Sequence, residues 1–406
     1  MARPNVQFRI LDESLVVPVT EQFSSTVGAV CNITTALKTM GNTAEQQQGY
    51  FYVQNSSEWY NRLTDLVYLN AGGVTFVQGQ TAYSVGSCAA SYLDGTYTGT
   101  GVSGATFRNE WYPINNFLQY GGGCYVAFAN GSTPPAGFAD IDFQVIFQGG
   151  SASNSSYITP LQTIVDGKAS TEKPALGIMY VPIGATSVAN DISNFTTATN
   201  RNYAVVYGSK VHFDVTGINT VTTPIAADLA GCIARTDRDF YPWFSPAGTK
   251  KGRILNVIRL SKNLTTAEQD ALYDAKINPV VTFSGEGTYL YGDKTGEPDT
   301  STLSRINVSR LFMYIKRSLG PVARSILFEQ NDAITRSRFK IAAEGFLDRI
   351  VAQRGISEYR VVCDTSNNTP EVVEANYFVA DILIKPITSI NYVTITLTNK
   401  DLSSEL

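Results

Sequence analysis

Between residues 237 and 386 the chain alternates short β-branched runs with two long amphipathic segments, and every change of period is punctuated. Thr265-Thr266-Ala267-Glu268 is a capping box that predicts a helix to about Ala275. Asn278-Pro279 ends it, and residues 280–283 begin a strand that the turn Ser284-Gly285-Glu286-Gly287 joins to 288–291. Across 305–329, Leu311, Phe312, Ile315, Leu319, Val322, Ile326 and Leu327 recur three or four residues apart, which predicts an amphipathic helix bent at Pro321. A second helix over 333–353 carries Ile334, Ile341, Phe346, Leu347, Ile350 and Val351, and stops at Gly355. Strand 359–363, the loop Ser366-Asn367-Asn368-Thr369-Pro370-Glu371 and strand 378–385 complete the stretch. Such a region must fold as a sheet packed on helices.

The chain before it is rich in Gly, Ser, Thr and Tyr and gives weaker signals. Residues 27–38 read as an apolar strand entering a loop, 56–66 as a short helix, and 73–108 as β-hairpins or an ordered loop excursion. Trp111 to Gln119 reads as a helix stopped by Gly121-Gly122-Gly123, with a buried strand at 124–128. The runs 141–147, 175–183 and 203–208 are apolar without alternation, which predicts strands covered on both faces.

Two lone strand patterns stand at the ends. Val6, Phe8 and Ile10 alternate with Gln7 and Arg9. Tyr392 opens the cleanest alternation in the chain, with Val393, Ile395 and Leu397 facing one way and Thr394, Thr396 and Thr398 the other. Pro18 and Pro386 set these segments off from the rest.

Composition excludes several classes. At 406 residues the chain is long enough for two or three domains. Charged residues make up 16%, against roughly 25% in an average protein. A surface so sparse in charge suits an assembly subunit, and equally a β-rich protein with a polar, uncharged surface. A net charge of −4 argues against direct nucleic-acid binding. No apolar run approaches the ~18 residues of a membrane span, and MARPNVQFRILDES has no leader-like apolar core. Cys31, Cys88, Cys124, Cys232 and Cys363 lie far apart and are expected as buried free thiols made in a reducing compartment.

Candidate chemistry is thin. His212 is the one histidine, in an apparent strand, and any nucleophile–histidine site would have to use it. Gly285-Glu286-Gly287 and Gly292-Asp293-Lys294-Thr295 superficially resemble phosphate loops, but neither matches GxxxxGK[ST], and hairpin turns account for both. Asp140-Ile141-Asp142 on a presumed strand, and Asp237 with Asp239, are the available carboxylate pairs. No catalytic, cofactor or metal residues are expected, and the chain is not read as an enzyme.

A motif series from 234 to 386 resembles the contractile phage tail sheath proteins. It runs Ala234-Arg235-Thr236-Asp237, Trp243-Phe244-Ser245-Pro246-Ala247-Gly248, Ile277-Asn278-Pro279-Val280, Gly285 to Thr288, Gly292 to Thr295, Arg305 to Phe312, Phe328 to Asp332, Val361 to Val372 and Asp381 to Pro386. The resemblance implies an α+β (mixed α/β) fold: a C-terminal sheet-and-helix sheath domain with terminal strand-exchange arms, and an inserted β-rich or mixed N-terminal domain. The implied layout is an N-terminal arm at 1–20, an outer domain at 21–236 with excursions near 73–108 and 131–172, a core domain at 237–388 and an exchange arm at 389–406.

The same resemblance implies a structural subunit that stacks as hexameric rings around an inner tail tube and contracts to drive the tube through a cell envelope. Its partners would be copies of itself, the tube protein, baseplate proteins and terminator or neck proteins. Its location would be the virion tail, after assembly in the host bacterial cytoplasm. Val6, Phe8, Ile10, Tyr392, Val393, Ile395 and Leu397 would pair with neighbours by β-augmentation. Asp364, Glu371 and Glu374 would face the tube, unless they form only a solvated acidic turn. The alternatives are the sheath of a non-viral, tailocin-like injection device and a carbohydrate-binding or glycan-cleaving β-protein.

Overall fold

The computed structural model describes residues 27–32, 48, 50–68, 104–129, 134–135, 137–150, 155–195, 199–215, 217–298 and 301–390. Its centre is a seven-stranded sheet. The strands are β1 (Val27–Asn32), β2 (Tyr50–Val53), β3 (Cys124–Ala129), β4 (Val145–Gln148), β5 (Leu176–Val181), β6 (Tyr203–Tyr207) and β10 (Ile277–Asn278). Their order is β10-β6-β5-β4-β1-β3-β2, all pairs parallel except the antiparallel edge pair of β2 with β3. Every residue of β4, β5 and β6 is buried. That is why these runs show no polar alternation: successive side chains enter two different cores.

One core takes Val145, Phe147, Leu176, Ile178, Tyr180, Ala204 and Val206, together with helices α1 (Ser56–Tyr68), α2 (Gly104–Leu118) and α5 (Ala226–Asp239). The opposite core takes Ile146, Met179, Val181, Tyr203, Val205 and Tyr207 against α3 (Ser155–Ala169), α4 (Val188–Asn194) and α6 (Thr266–Asp274). The N-terminal region, expected as an inserted β-rich or mixed α/β domain, is a three-layer α/β sandwich.

Several expectations are corrected here. The stretch 131–172 is no simple excursion, because it supplies β4 and α3, both integral to the sheet and its cover. The 104–108 end of the supposed hairpin region is helical backbone, so α2 begins seven residues before Trp111. The 141–147 strand shortens to 145–148: a 3₁₀ turn at Phe138–Asp140 precedes it, and Phe138 and Phe143 stack in the core at 5.2 Å. The arms at 6–11 and 391–398 and most of 73–108 lie outside the described residues.

A three-stranded antiparallel sheet, β8-β7-β9, sits beside the first core, with β7 at Ser209–Phe213, β8 at Thr220–Pro224 and β9 at Arg259–Leu260. The hairpin of β11 (Val280–Phe283) and β12 (Gly287–Leu290) turns at Gly285, which stands at φ 82°. Thr265 and Glu268 close the capping box of α6 as expected.

The third core belongs to α7 (Ile306–Ser325), α8 (Ala333–Ala352) and the ribbon of β13 (Ile356–Val362) with β14 (Asp381–Pro386). Helix α7 continues past Pro321 and serves two cores: Ile306 and Met313 face the first, while Leu311, Ile315 and Leu319 face the third. Packing therefore runs across the expected boundary at 236/237. Helix α5 spans that point, and Asn278 of β10 donates its Nδ2 to Val205 O at 2.8 Å.

Candidate assembly interface

The β13–β14 ribbon is an unfinished sheet. Val362 pairs with Asp381, Val361 with Ile382, Arg360 with Leu383, Tyr359 with Ile384 and Glu358 with Lys385, and an irregularity between Ile356 and Glu358 resets the phase. Ile356, Val361 and Ile382 point into the third core with Phe339, Phe346, Leu347 and Ile350. The other face carries Glu358, Arg360, Leu383 and Lys385, with Glu358 and Lys385 in an exposed cross-strand ion pair at 3.4 Å. Among the described residues each strand has one partner, so both outer edges present unpaired backbone N–H and C=O groups. A two-stranded sheet is marginal by itself, and here the helical pair holds it in shape.

The supports of this ribbon explain the sequence motifs. Trp243 stacks on Tyr241 at 4.9 Å and donates its indole N–H to Gln353 O at 3.1 Å. Gly355, at the start of β13, has room for nothing larger: a Cβ there would lie 2.4 Å from Ile350 and 3.2 Å from the Trp243 ring. Asn307 donates to Trp243 O, and Arg310 holds Asp237 in a buried two-point ion pair. Burial pushes the Asp237 carboxyl up, against the opposing pull of Arg310. Asp239 instead pairs with Arg238 at the surface, so the two acids are not a carboxylate pair.

Gly292-Asp293-Lys294-Thr295 is neither a phosphate loop nor the expected hairpin turn. It is a buried bridge: Asn278 binds Lys294 N and O, Thr295 binds Leu303 O and Ser304 O, and Asp293 takes Arg305. The Asp140–Asp142 motif lies at a 3₁₀ turn, not on a strand, and Asp142 is engaged by Arg317 and Lys173. His212 is buried beside a cavity of about 390 Å³. Its Nδ1–H donates to Phe213 O at 2.6 Å, and Nε2 accepts from Asn116 at 3.3 Å. Burial lowers its pKa, so the ring stays neutral and serves as a structural link. Cys124, Cys232 and Cys363 are buried free thiols.

Between β13 and β14 lies the loop that the Asn-Asn-Thr-Pro-Glu motif builds. Buried Asn368 donates to Asp364 O, Asn367 Oδ1 and Val379 O, and accepts from Val379 N at 2.8 Å. Asn367 ties Val362 O to the Asp381 carboxylate. This hub, unseen as such in the sequence, replaces a tight hairpin and carries the short helix α9 (Pro370–Glu374). Asp364, Glu371 and Glu374 are all exposed around it. Ser366 holds the Asp364 carboxyl below its ordinary range, and Thr369 does the same for Glu371. The exchange residues Val6, Phe8, Ile10, Tyr392, Val393, Ile395 and Leu397 lie outside the described residues.

The α/β scaffold thus ends in a two-stranded ribbon on a helix pair. Comparison with known proteins gives its family. A model described as the phage tail sheath protein central domain matches residues 145–296, and one described as the phage tail sheath C-terminal domain matches residues 298–399. The chain belongs to the phage tail sheath protein family. It is 43% identical over 226 residues to the tail sheath protein of Enterobacteria phage T4, covering 53% of this chain and 34% of that protein. It is 40% identical over 241 residues to the tail sheath protein of Vibrio phage KVP40, covering 59% and 36%. The matched part is thus about a third of the length of these curated relatives. In fold it is similar to the sheath of an extracellular contractile injection system, PVC, in the contracted state, with a TM-score of 0.68 at 16% identity over 98% of both chains. It is also similar to a chain of the anti-feeding prophage baseplate, with a TM-score of 0.65 at 15% identity over 99% of this chain and 100% of that one.

Proposed function

We propose that this chain is the structural subunit of a contractile tail sheath. It polymerises as stacked six-membered rings around a tail tube, and contraction of the rings drives the tube through the target envelope. The observation that carries this reading is the β13–β14 ribbon with both outer edges unpaired among the described residues. The strand-patterned segments 6–11 and 391–398 are the natural donors, each completing the ribbon of a neighbouring copy. Four or five ladder hydrogen bonds per arm, at roughly 0.5–1.5 kcal/mol each, make a bond that is modest singly and large over a polymer.

The role is structural, not catalytic: His212, Asp142, Asp237 and the Gly292–Thr295 segment are engaged in contacts that hold the fold. Copies of the chain, the tube, the baseplate and the terminator or neck proteins are its partners, with the virion tail as its location after assembly in the host cytoplasm. The rigid acidic segment bearing Asp364, Glu371 and Glu374 faces the tube. Identities of 40% and 43% to phage sheath proteins favour a phage tail over a non-viral device; capsid and terminase genes beside its own would decide. Negative-stain imaging of the purified chain tests the class. Striated tubes are expected, and a monodisperse globular particle at all concentrations would contradict it.

A further inference from the structure

Phe328 follows helix α7 in the left-handed backbone region, at φ 70°. Glycine or asparagine normally fills such a position, because a Cβ crowds the neighbouring carbonyl there. Lys276 and Arg354 stand in the same region behind α6 and α8, but their long side chains keep a charge in water. Phe328 instead leaves its ring 88% exposed. Neither backbone geometry nor core packing accounts for phenylalanine here, and strain of this kind points to a binding role.

The surroundings fit a contact knob. Asn331 Nδ2 donates to Tyr377 O at 2.7 Å, which brings the Phe328 loop against Tyr377, itself 67% exposed. Ile334, 62% exposed, begins α8 just beyond, and Glu329 and Asp332 give the knob an acidic frame. The complement stands further along α8 on the same chain. Arg338, Ile341, Gly345 and Arg349 recur on one helix face, all exposed. A Cβ at Gly345 would meet nothing within 4 Å, so the face has an open notch between an apolar residue and two guanidinium groups.

We propose that Phe328 of one copy seats in the Ile341–Gly345 notch of α8 on a second copy. Acidic knob and basic notch are different surfaces, so the contact is heterologous and propagates into rings or open helices instead of closing a dimer. The inference rests on the sheath reading and adds a side-chain lock beside the strand exchange, leaving Asp364, Glu371 and Glu374 for the tube.

The test uses the full chain and two substitutions that each favour the local backbone. Phe328→Asn places a residue at ease in the left-handed region, and Gly345→Leu raises helix propensity while filling the notch. Both variants are expected to unfold at the wild-type temperature or above, yet to need roughly tenfold higher concentration to form polymers, on the scale of losing one interface anchor. Wild-type polymerisation by either variant overturns the contact. So does normal polymerisation with loss only of tube-protein co-sedimentation, which would assign the knob to the tube. A wild-type chain that never polymerises removes the sheath reading, and this contact falls with it.

Discussion

Arg310 and Asp237 face each other through two charge-assisted hydrogen bonds of 2.6 Å, with both side chains almost wholly buried. The pair joins the end of α5 to the first turns of α7 across 73 residues of sequence, and so fixes the third core against the central sheet. Leaving one partner buried without the other costs about 3–5 kcal/mol. Arg310→Leu and Asp237→Leu should each lower the free energy of unfolding, measured by chemical denaturation, by that amount. The double variant should lose much less than the sum, and simple additivity would show that the two groups act separately.

Lys168 and Lys316 should each contribute stability that rises with pH above about 8, against an opposite contribution from the buried Cys232 and Cys363 thiols, which burial pushes up to about 12 and about 11. Burial lowers Lys168 and Lys316 to about 8, below the ordinary lysine value near 10.5. Below pH 8 both folded and unfolded chains carry these protons, and the folded chain bears the full cost of two buried charges. Above pH 8 the folded chain releases them first, the unfolded chain binds more protons, and folding is favoured. Lys316, which donates to Ala169 O at 2.7 Å, can be tested alone. Lys316→Met should reduce the slope of unfolding free energy against pH in that window, and an unchanged slope would refute the assignment.

Asn368→Ala removes a hub whose amide makes four hydrogen bonds. Orphaning the part-buried Val379 N and O should cost about 1–3 kcal/mol. Hydrogen exchange should quicken across 364–381 while the central sheet stays protected. Uniform loosening of the whole chain would mean that the loop is not a separate unit.

His212→Ala should leave polymer formation intact, at the expense of the Asn116 and Phe213 contacts. Polymers that form but fail to contract, with the fold unchanged, would reveal a site at His212.

The capping box at Thr265, the α7 and α8 helices and the buried β4–β6 runs were legible because local chemistry and tertiary packing agree there. Other parts were not. Residues 104–110 lack helix-forming strength in isolation, yet continue α2 towards the glycine-rich stretch. Gly292-Asp293-Lys294-Thr295 reads as turn chemistry, but Asn278, sixteen residues before Lys294, bonds its backbone and makes it a buried bridge. Asp237 and Asp239 look equivalent in sequence; only the approach of Arg310 separates a core ion pair from a surface one. Asn367 and Asn368 are ordinary loop residues until Val362, Val379 and Asp381 surround them. Long-range partners decide each case, and no window of sequence contains them.

The central claim is that copies of the chain complete one another's ribbons. It is tested most directly by deleting residues 1–17 or 388–406 and comparing thermal unfolding with negative-stain images at matched concentration. Each truncated chain is expected to unfold cooperatively near the wild-type temperature while forming no tubes. Unimpaired striated tubes from both truncations would contradict strand exchange.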